Sequence, residues 1–148
     1  MVELNEDFTE FVRLLNANEV AYLIVGGYAV AFHGFPRYTG DIDFFIAINA
    51  SNATRILRVF EQFGFGDIGL SETDFLQEAY VIEIGREPRK IQVLTGIDGV
   101  SFDEAFSQRV QVDIAGTSMN FINKRCLLTN KRATGRPKDR IDAEELDR

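Results

Sequence analysis

Hydrophobic residues along this chain follow helical spacing in some segments and form short apolar runs in others. The pattern predicts helices over residues 7–18, 28–33, 51–63, 72–78, 123–133 and 137–146. It predicts strands over residues 21–25, 42–48, 80–85, 90–94, 110–114 and 118–121. The short charged segment between the third and fourth of these strands is typical of a hairpin turn. We therefore expect an α+β fold, a small mixed β-sheet of four to six strands with packed helices.

Length and composition indicate a single domain that comprises residues 1–148. Hydrophobic residues make up 45% of the chain and charged residues 26%, which is the balance of a globular protein and not of a disordered one. The longest apolar run, residues 22–32, is too short to span a bilayer, and the first residues are acidic where a signal peptide would be basic. The single cysteine, Cys126, cannot form an internal disulfide. We expect a cytoplasmic protein without membrane association.

Charge is distributed unevenly along the chain. The net charge is −7, yet residues 124–140 contain seven Lys or Arg side chains and a single acid, Asp139. The helical C-terminal segment, residues 123–148, therefore carries a basic patch on an acidic body. Such a patch favours a local anion site over general binding to nucleic acid, although a solvated helix face would give the same pattern.

Two acids in this segment, Asp139 and Asp142, lie one helical turn apart. Residues at this spacing share a helix face, and a solvated face is the default expectation for a pair of acids. The alternative is that Asp139 orients Lys131 or Arg136 at a binding site.

Two further acids stand at the start of a very apolar strand. Asp41 and Asp43 are separated by one residue, so on a strand both carboxylates face the same side. Two close carboxylates are costly unless they reach solvent or share a cation, and oxygen ligands at this spacing suit Mg²⁺. Taken alone, the pair could also consist of a turn residue beside Gly40 and an exposed strand residue.

Paired glycines follow the first predicted strand. Because Gly26 and Gly27 lead from a strand into a helix, a phosphate group could approach bare backbone amides there. The spacing does not fit the dinucleotide-binding pattern G-x-G-x-x-G, and no Gly-Lys-Ser/Thr follows as in a P-loop. A tight strand-to-helix turn that binds nothing would also favour glycine.

Together these residues resemble the polymerase-β-like nucleotidyltransferase superfamily. The resemblance rests on Gly26-Gly27, His33-Gly34, Arg37, Thr39 and Asp41-Ile42-Asp43. The C-terminal segment is similar to the closing motif of a small prokaryotic branch, related to AbiEii-type toxins and minimal nucleotidyltransferases. The matching residues there are Asn130–Ala133, Gly135–Asp139 and Asp142. The resemblance covers almost the whole chain and implies a nucleotidyltransferase-like fold.

The resemblance also implies an activity, the transfer of a nucleoside monophosphate from an NTP to a hydroxyl group of RNA, protein or a small molecule. Asp41 and Asp43 would be catalytic and would bind two Mg²⁺ ions, one activating the attacking oxygen and one neutralising the departing pyrophosphate. The residues expected to bind the nucleotide are Gly26, Gly27, Arg37, Thr39, Lys131, Arg136 and Lys138.

One position departs from the superfamily pattern. A third acid is expected on a later strand, and Gln92 stands in its place. A glutamine can lend a metal a neutral carbonyl oxygen, but it cannot act as a base. Strand alternation predicts that Gln92 faces the cleft, so it is a third candidate catalytic residue. Glu83 or Asp113 could compensate for the missing acid.

Gln92 leaves two functions open. The intact Asp41-x-Asp43 pair favours a magnesium-dependent nucleotidyltransferase. The missing third acid favours a degenerate member that binds nucleotide, or a partner protein, without turnover, as part of a toxin–antitoxin-like system. In the first case the partners are an NTP and an RNA, protein or small-molecule acceptor.

Overall fold

A computed structural model describes residues 4–148, which form helices packed against one β-sheet. The helices are α1 (Glu6–Ala17), α2 (Gly26–Phe32), α3 (Ala50–Phe60), α4 (Phe102–Ser107), α5 (Lys124–Thr134) and α6 (Pro137–Leu146). The strands are β1 (Tyr22–Val25), β2 (Ile42–Ile46), β3 (Val81–Arg86), β4 (Arg89–Leu94), β5 (Val110–Ile114) and β6 (Thr117–Phe121). A π-helical segment, Glu61–Phe65, continues α3, and a 3₁₀-helix spans Glu72–Leu76.

The six strands form one mixed sheet in the order β3-β4-β2-β1-β6-β5. The β1–β2, β3–β4 and β5–β6 pairs are antiparallel, whereas β2–β4 and β1–β6 are parallel. The parallel pairing of β2 with β4 sets Asp43 directly beside Gln92, and the β1–β2 pairing sets it beside Val25. The strand that carries Asp43 and directly follows Asp41 thus lies at the centre of the sheet.

Aromatic side chains join the helices to one face of the sheet. Phe11 of α1 lies 5.3 Å from Phe44 of β2 and 5.9 Å from Phe60 of α3, measured between ring centroids. All three residues are fully buried, and burial of such large apolar side chains contributes roughly 2–3 kcal/mol each. On the opposite face, Phe45 of β2 packs edge-on against Phe102 of α4. The side chain of Asp43 shares this second face, because strand residues two apart point the same way.

The predicted α+β class with a small mixed sheet is confirmed, and each predicted helix and strand has a counterpart. Within residues 4–148, the helix α4 is the one element of regular structure that the hydrophobic pattern missed. It is six residues long and capped by Ser101, and although its three apolar side chains follow helical spacing, the segment is much shorter than the window over which such spacing indicates a helix. Among the described residues, no helix combines the length and hydrophobicity needed to cross a membrane.

Candidate active site

A row of polar side chains crosses three neighbouring strands. Asp43 of β2 pairs with Gln92 of β4, and Gln92 pairs with Glu83 of β3. Residues paired in this way lie on the same face, and the flanking Ile91 and Val93 are buried on the other. Gln92 donates a hydrogen bond from Nε2 to Glu83 Oε1 at 3.2 Å. The strand register therefore brings two acids and an amide into one line.

Asp41 lies two residues before Asp43 and is held in place by hydrogen bonds that involve the backbone. It precedes β2, and its Oδ1 accepts a hydrogen bond from the Lys90 backbone N–H at 3.0 Å. The Thr39 hydroxyl donates to the Asp41 carbonyl oxygen at 3.2 Å. One carboxylate oxygen of Asp41 is thus fixed to the β3–β4 hairpin.

Asp43 is an acid in an environment that disfavours its charge. Burial raises the pKa of its carboxyl to about 6, the charge of Asp41 adds to the shift, and the Lys131 charge opposes it. Its Oδ1 is buried and has no hydrogen-bond partner among the described residues. A buried carboxylate oxygen without a donor is costly, and a bound cation would relieve that cost.

The glycine pair allows the backbone of the β1–α2 turn to lie close to two side chains of the site. A Cβ atom at Gly26 would lie 2.1 Å from Asp43 Oδ2, and the φ of this residue is +69°. A Cβ atom at Gly27 would lie 2.8 Å from Thr39 Oγ1. Glycine is needed at both positions for the β1–α2 turn to pack against Asp43 and Thr39. The contact of a phosphate with these glycines stays a prediction.

A cavity of about 210 Å³ opens beside Asp43, and we name it the Asp43 cavity. Its lining includes Gly26 and Asp43 from the N-terminal half of the chain. The C-terminal segment contributes Lys131, Arg136 and Asp139, and Asp98 contributes from the segment between β4 and α4. Four of the predicted site residues, distant in sequence, therefore surround one space. Three carboxylates and two cations line it, so a polyanion would enter more readily together with a metal ion.

Asp139 holds both cations of this cavity in ion pairs, a buried one with Lys131 and a partly exposed one with Arg136. Lys131 Nζ lies 2.9 Å from Asp139 Oδ1, and Arg136 Nε lies 2.9 Å from Asp139 Oδ2. The Thr134 hydroxyl donates to the same Oδ2 at 2.7 Å. Burial works to raise the pKa of the Asp139 carboxyl, but the hydrogen bonds from Thr134 and Lys131 outweigh it and the pKa lies below its usual value. The expectation of a solvated face at Asp139 is wrong, because the side chain faces Lys131 and Arg136 and is buried.

Asp142 is buried in the same way. Its Oδ2 lies 3.0 Å from an Arg37 guanidinium nitrogen and 3.3 Å from Lys131 Nζ. The side chain is 2% exposed, so the solvated-face expectation is wrong for this residue as well. The sequence had suggested contact with Lys131 or Arg136 only for Asp139, as the alternative to a solvated face, and it carries no local signal for the pairing of Asp142 with Arg37.

Some predicted residues lie outside the cavity. Arg37 lies on the loop before Asp41 and is paired with Asp142, and Lys138 is exposed and does not line the cavity. Asp113, one of the acids considered as a replacement for the third carboxylate, lies on the far edge strand β5. It accepts a hydrogen bond from the Gly116 backbone N–H in a turn. Of the two compensating acids, only Glu83 shares a row with Asp43 and Gln92.

The side-chain oxygen atoms at this site are of the type that binds a hard divalent cation. Mg²⁺ prefers carboxylate and carbonyl oxygens, and it retains several waters. Asp41, Asp43 and the Gln92 side-chain carbonyl supply such atoms, and Asp43 Oδ1 is buried without a donor. Within residues 4–148, Asp, Glu, His and Cys side chains nowhere gather in a group of three that could hold a metal ion. Asp41 and Asp43 are the two carboxylates that could hold such an ion, and its binding stays a prediction.

The raised pKa of Asp43 predicts that Asp43→Asn stabilises the metal-free protein at high pH. A raised folded-state pKa means that stability is fully present below the ordinary value of 3.8 and is lost as the pH rises through about 6. At pH 8 the variant should therefore be more stable by about 2 kcal/mol, or roughly 5 °C in Tm. The difference should disappear near pH 4. Thermal unfolding in EDTA at pH 4 and pH 8 measures this difference in stability. The control is Asp67→Asn at an exposed position, which should change stability at neither pH. A destabilised Asp43→Asn protein at pH 8 would contradict it.

Comparison with solved structures places the fold. The chain is similar to a lincosamide antibiotic adenylyltransferase, LnuA, in its lincomycin-bound form, at 15% identity and a TM-score of 0.63, covering 97% of this chain and 96% of that one. It is similar to a protein from Thermotoga maritima assigned as a nucleotidyltransferase, at 18% identity, a TM-score of 0.58 and coverage of 95% and 88%. It is also similar to an antigenic nucleotidyltransferase-like protein from Paracoccidioides brasiliensis, at 18% identity, a TM-score of 0.55 and coverage of 99% and 77%.

These similarities define the class of fold. No protein-family model matches the sequence, and no curated protein matches it. These three structures are each less than 20% identical to the chain, but each similarity extends over at least 95% of it. The protein therefore has a nucleotidyltransferase-like fold, as its sequence predicted.

Proposed function

We propose that the protein is a magnesium-dependent nucleotidyltransferase that moves a nucleoside monophosphate from an NTP to a hydroxyl acceptor. One observation carries the proposal: on a nucleotidyltransferase-like fold, a buried carboxylate with an unpartnered oxygen lines the same cavity as two cationic side chains. The carboxylate is Asp43, and the cations are Lys131 and Arg136. A nucleotide triphosphate with its metal ion matches this arrangement in charge.

In the proposed complex the cations contact the phosphates. Arg136 is the more accessible of the two, with a side chain 74% exposed, whereas Lys131 is almost fully buried between Asp139 and Asp142. Arg136 would bind phosphate oxygens directly through its planar guanidinium group. Gly26 keeps the β1–α2 turn close to the Asp43 carboxylate. Asp41 and Asp43 would hold Mg²⁺, which when bound polarises the phosphate oxygens and neutralises charge on the leaving group.

The proposed reaction is a displacement at the α-phosphorus. The acceptor oxygen forms a bond to this phosphorus, the bond from phosphorus to the α–β bridging oxygen breaks, and pyrophosphate leaves. The hydroxyl proton must pass to a base, and Gln92 cannot take it. Glu83 is a carboxylate in the same row, and the Gln92 amide donates a hydrogen bond to it. We assign the proton to Glu83 for this reason.

A groove beside the site favours a small-molecule acceptor. It has a volume of about 590 Å³, within the range of ligand pockets, and it shares Gly96 with the Asp43 cavity. Phe45 and Phe102 give it an apolar wall. Among the described residues that line it are Glu78 and Asp103 but no Lys or Arg, which disfavours an RNA acceptor. The similarity to an adenylyltransferase with a bound antibiotic supports the same choice.

The second candidate function is nucleotide or partner-protein binding without turnover. Gln92 in place of an acid favours it, since a neutral ligand gives weaker metal binding and no base. Under this candidate function, the chain would be a member of the AbiEii-related branch and would act within a toxin–antitoxin-like system. The two functions differ in one observable, the release of pyrophosphate.

Transfer of label from α-³²P-NTPs tests the enzyme. The full chain is incubated with Mg²⁺, each of the four NTPs and three acceptor pools: cellular RNA, cellular protein, and a filtrate of small molecules below about 1 kDa. We expect label in the small-molecule pool, with one pyrophosphate released for each label transferred, and none of either in EDTA. Label in RNA or protein would overturn the acceptor assignment. NTP binding without pyrophosphate release in any pool would favour the binding module.

A further inference from the structure

Asp142 connects two parts of the candidate site that are distant in sequence. Its Oδ2 accepts a hydrogen bond from Arg37, which lies on the loop that carries Thr39 and Asp41. The same oxygen lies 3.3 Å from Nζ of Lys131, which lines the Asp43 cavity from α5. One carboxylate on α6 thus contacts both the loop that carries Asp41 and the helix α5, which carries Lys131.

The energetics of this contact depend on its burial. Asp142 is 2% exposed, and Lys131 is 8% exposed. Removing one partner from a buried ion pair leaves the other charge without compensation, which is more costly than losing a surface pair. A comparison exists within the same two helices, because Arg132 of α5 pairs with Asp147 after α6 at 2.9 Å. That pair is more than half exposed and contributes little.

We propose that Asp142 is a positioning residue for the nucleotide, and this rests on the proposed function. By holding Arg37 and Lys131 on one oxygen, it fixes the separation between the loop that carries Asp41 and the helix that carries Lys131. Metal-bound phosphates must contact both sides of this gap at once, so their affinity depends on its width. Asp142 itself need not touch the nucleotide. Asp139 differs from Asp142 because its ion-pair partners, Lys131 and Arg136, both belong to the C-terminal segment, so it does not connect that segment to the loop that carries Asp41.

The test measures binding of α,β-methylene NTPs of all four bases with Mg²⁺ by calorimetry, below the unfolding temperature of each variant. We expect Asp142→Asn to weaken the tightest-bound analogue about tenfold or more, and the surface control Asp147→Asn to change it less than twofold. Arg37→Gln should weaken binding, whereas Arg37→Lys, which can keep the ion pair, should restore it. The double variant Arg37→Gln and Asp142→Asn should bind about as weakly as Asp142→Asn alone, because both changes break one contact.

The outcomes separate this inference from the proposed function. If the wild-type chain binds none of the four analogues, both are overturned. If it binds one and Asp142→Asn lowers Tm without changing the affinity, Asp142 is only structural and the inference alone is wrong. Additive losses in the double variant would also overturn it. Should Asp142→Asn fail to fold, Arg37→Gln decides, since Arg37 is partly exposed; unchanged affinity in Arg37→Gln would overturn the inference.

Discussion

We expect the double substitution Asp41→Asn and Asp43→Asn to abolish nucleotidyl transfer while the protein stays folded. Asp43 lies in β2 and lines the cavity together with Lys131 and Arg136, and Asp41 directly precedes the strand. Asparagine keeps the shape of each side chain but removes the negative charge that a divalent cation needs. A metal ion contributes several kcal/mol of transition-state stabilisation, and each 1.4 kcal/mol is tenfold in rate, so transfer should fall by a factor of about 10³ or more.

A second readout does not depend on the acceptor. A ligand that binds only the native state raises Tm, so Mg²⁺ with an NTP should stabilise the wild-type chain. The double variant should lose this shift completely. A control chain with Asp67→Asn and Asp147→Asn loses the same two charges at exposed positions and should keep both activity and shift. Metal-dependent stabilisation that persists in the Asp41 and Asp43 variant would remove these residues from the metal site.

The sequence predicted the central part of the fold because local patterns determine it. Strand alternation alone predicted that Gln92 faces away from Ile91 and Val93, and the register of β4 with β2 then sets it beside Asp43. The apolar run before Gly26 predicted β1, and Asn5 and Asn123 each cap a helix close to where one was expected. Such features depend on neighbours within about four residues and can be predicted from a single sequence.

The burial of Asp139 and Asp142 could not be predicted in this way. Two acids one turn apart on a polar helix are usually solvated, and nothing local distinguishes this pair. Their burial depends on how α6 packs against α5 and against the loop that carries Arg37, which lies 105 residues away in sequence. The hydrophobic pattern of α6 is weak, and its buried face carries Asp139 and Asp142 beside Ala143 and Leu146, so ion pairs contribute to the direction of that face as well as apolar contacts.

Gly26 shows a different limit of sequence reasoning. A glycine pair after a strand is compatible both with phosphate approach and with a tight turn. The structure adds a third reason, since a side chain at Gly26 would collide with the Asp43 carboxylate. Motif recognition gave the correct fold, but the contact that requires this glycine follows only from the pairing of β1 with β2.

The conversion Gln92→Asp should change stability in opposite directions with and without metal. The new carboxylate would stand between Asp43 and Glu83 in the row. Without metal, a third close negative charge should raise the pKa of Asp43 further and lower the stability by about 1 kcal/mol at pH 8. With Mg²⁺, a charged ligand replaces a neutral one, and affinity should rise about tenfold or more. The shift in Tm on adding Mg²⁺ and an NTP should therefore be larger than in the wild-type chain.

The matched control is Gln111→Asp, which makes the same chemical change at an exposed position of β5, across the sheet from Asp43. It should leave both the metal-free Tm and the metal-dependent shift unchanged. If Gln92→Asp behaves like this control, Gln92 does not contact the metal. The rate of nucleotidyl transfer by the Gln92→Asp variant then separates a role of the third acid in the chemistry from a role in metal binding alone. A rate that rises with metal affinity means that the missing acid limits the chemistry. A rate that stays the same while affinity rises means that no further base is needed at position 92, which is the result expected if Glu83 accepts the proton.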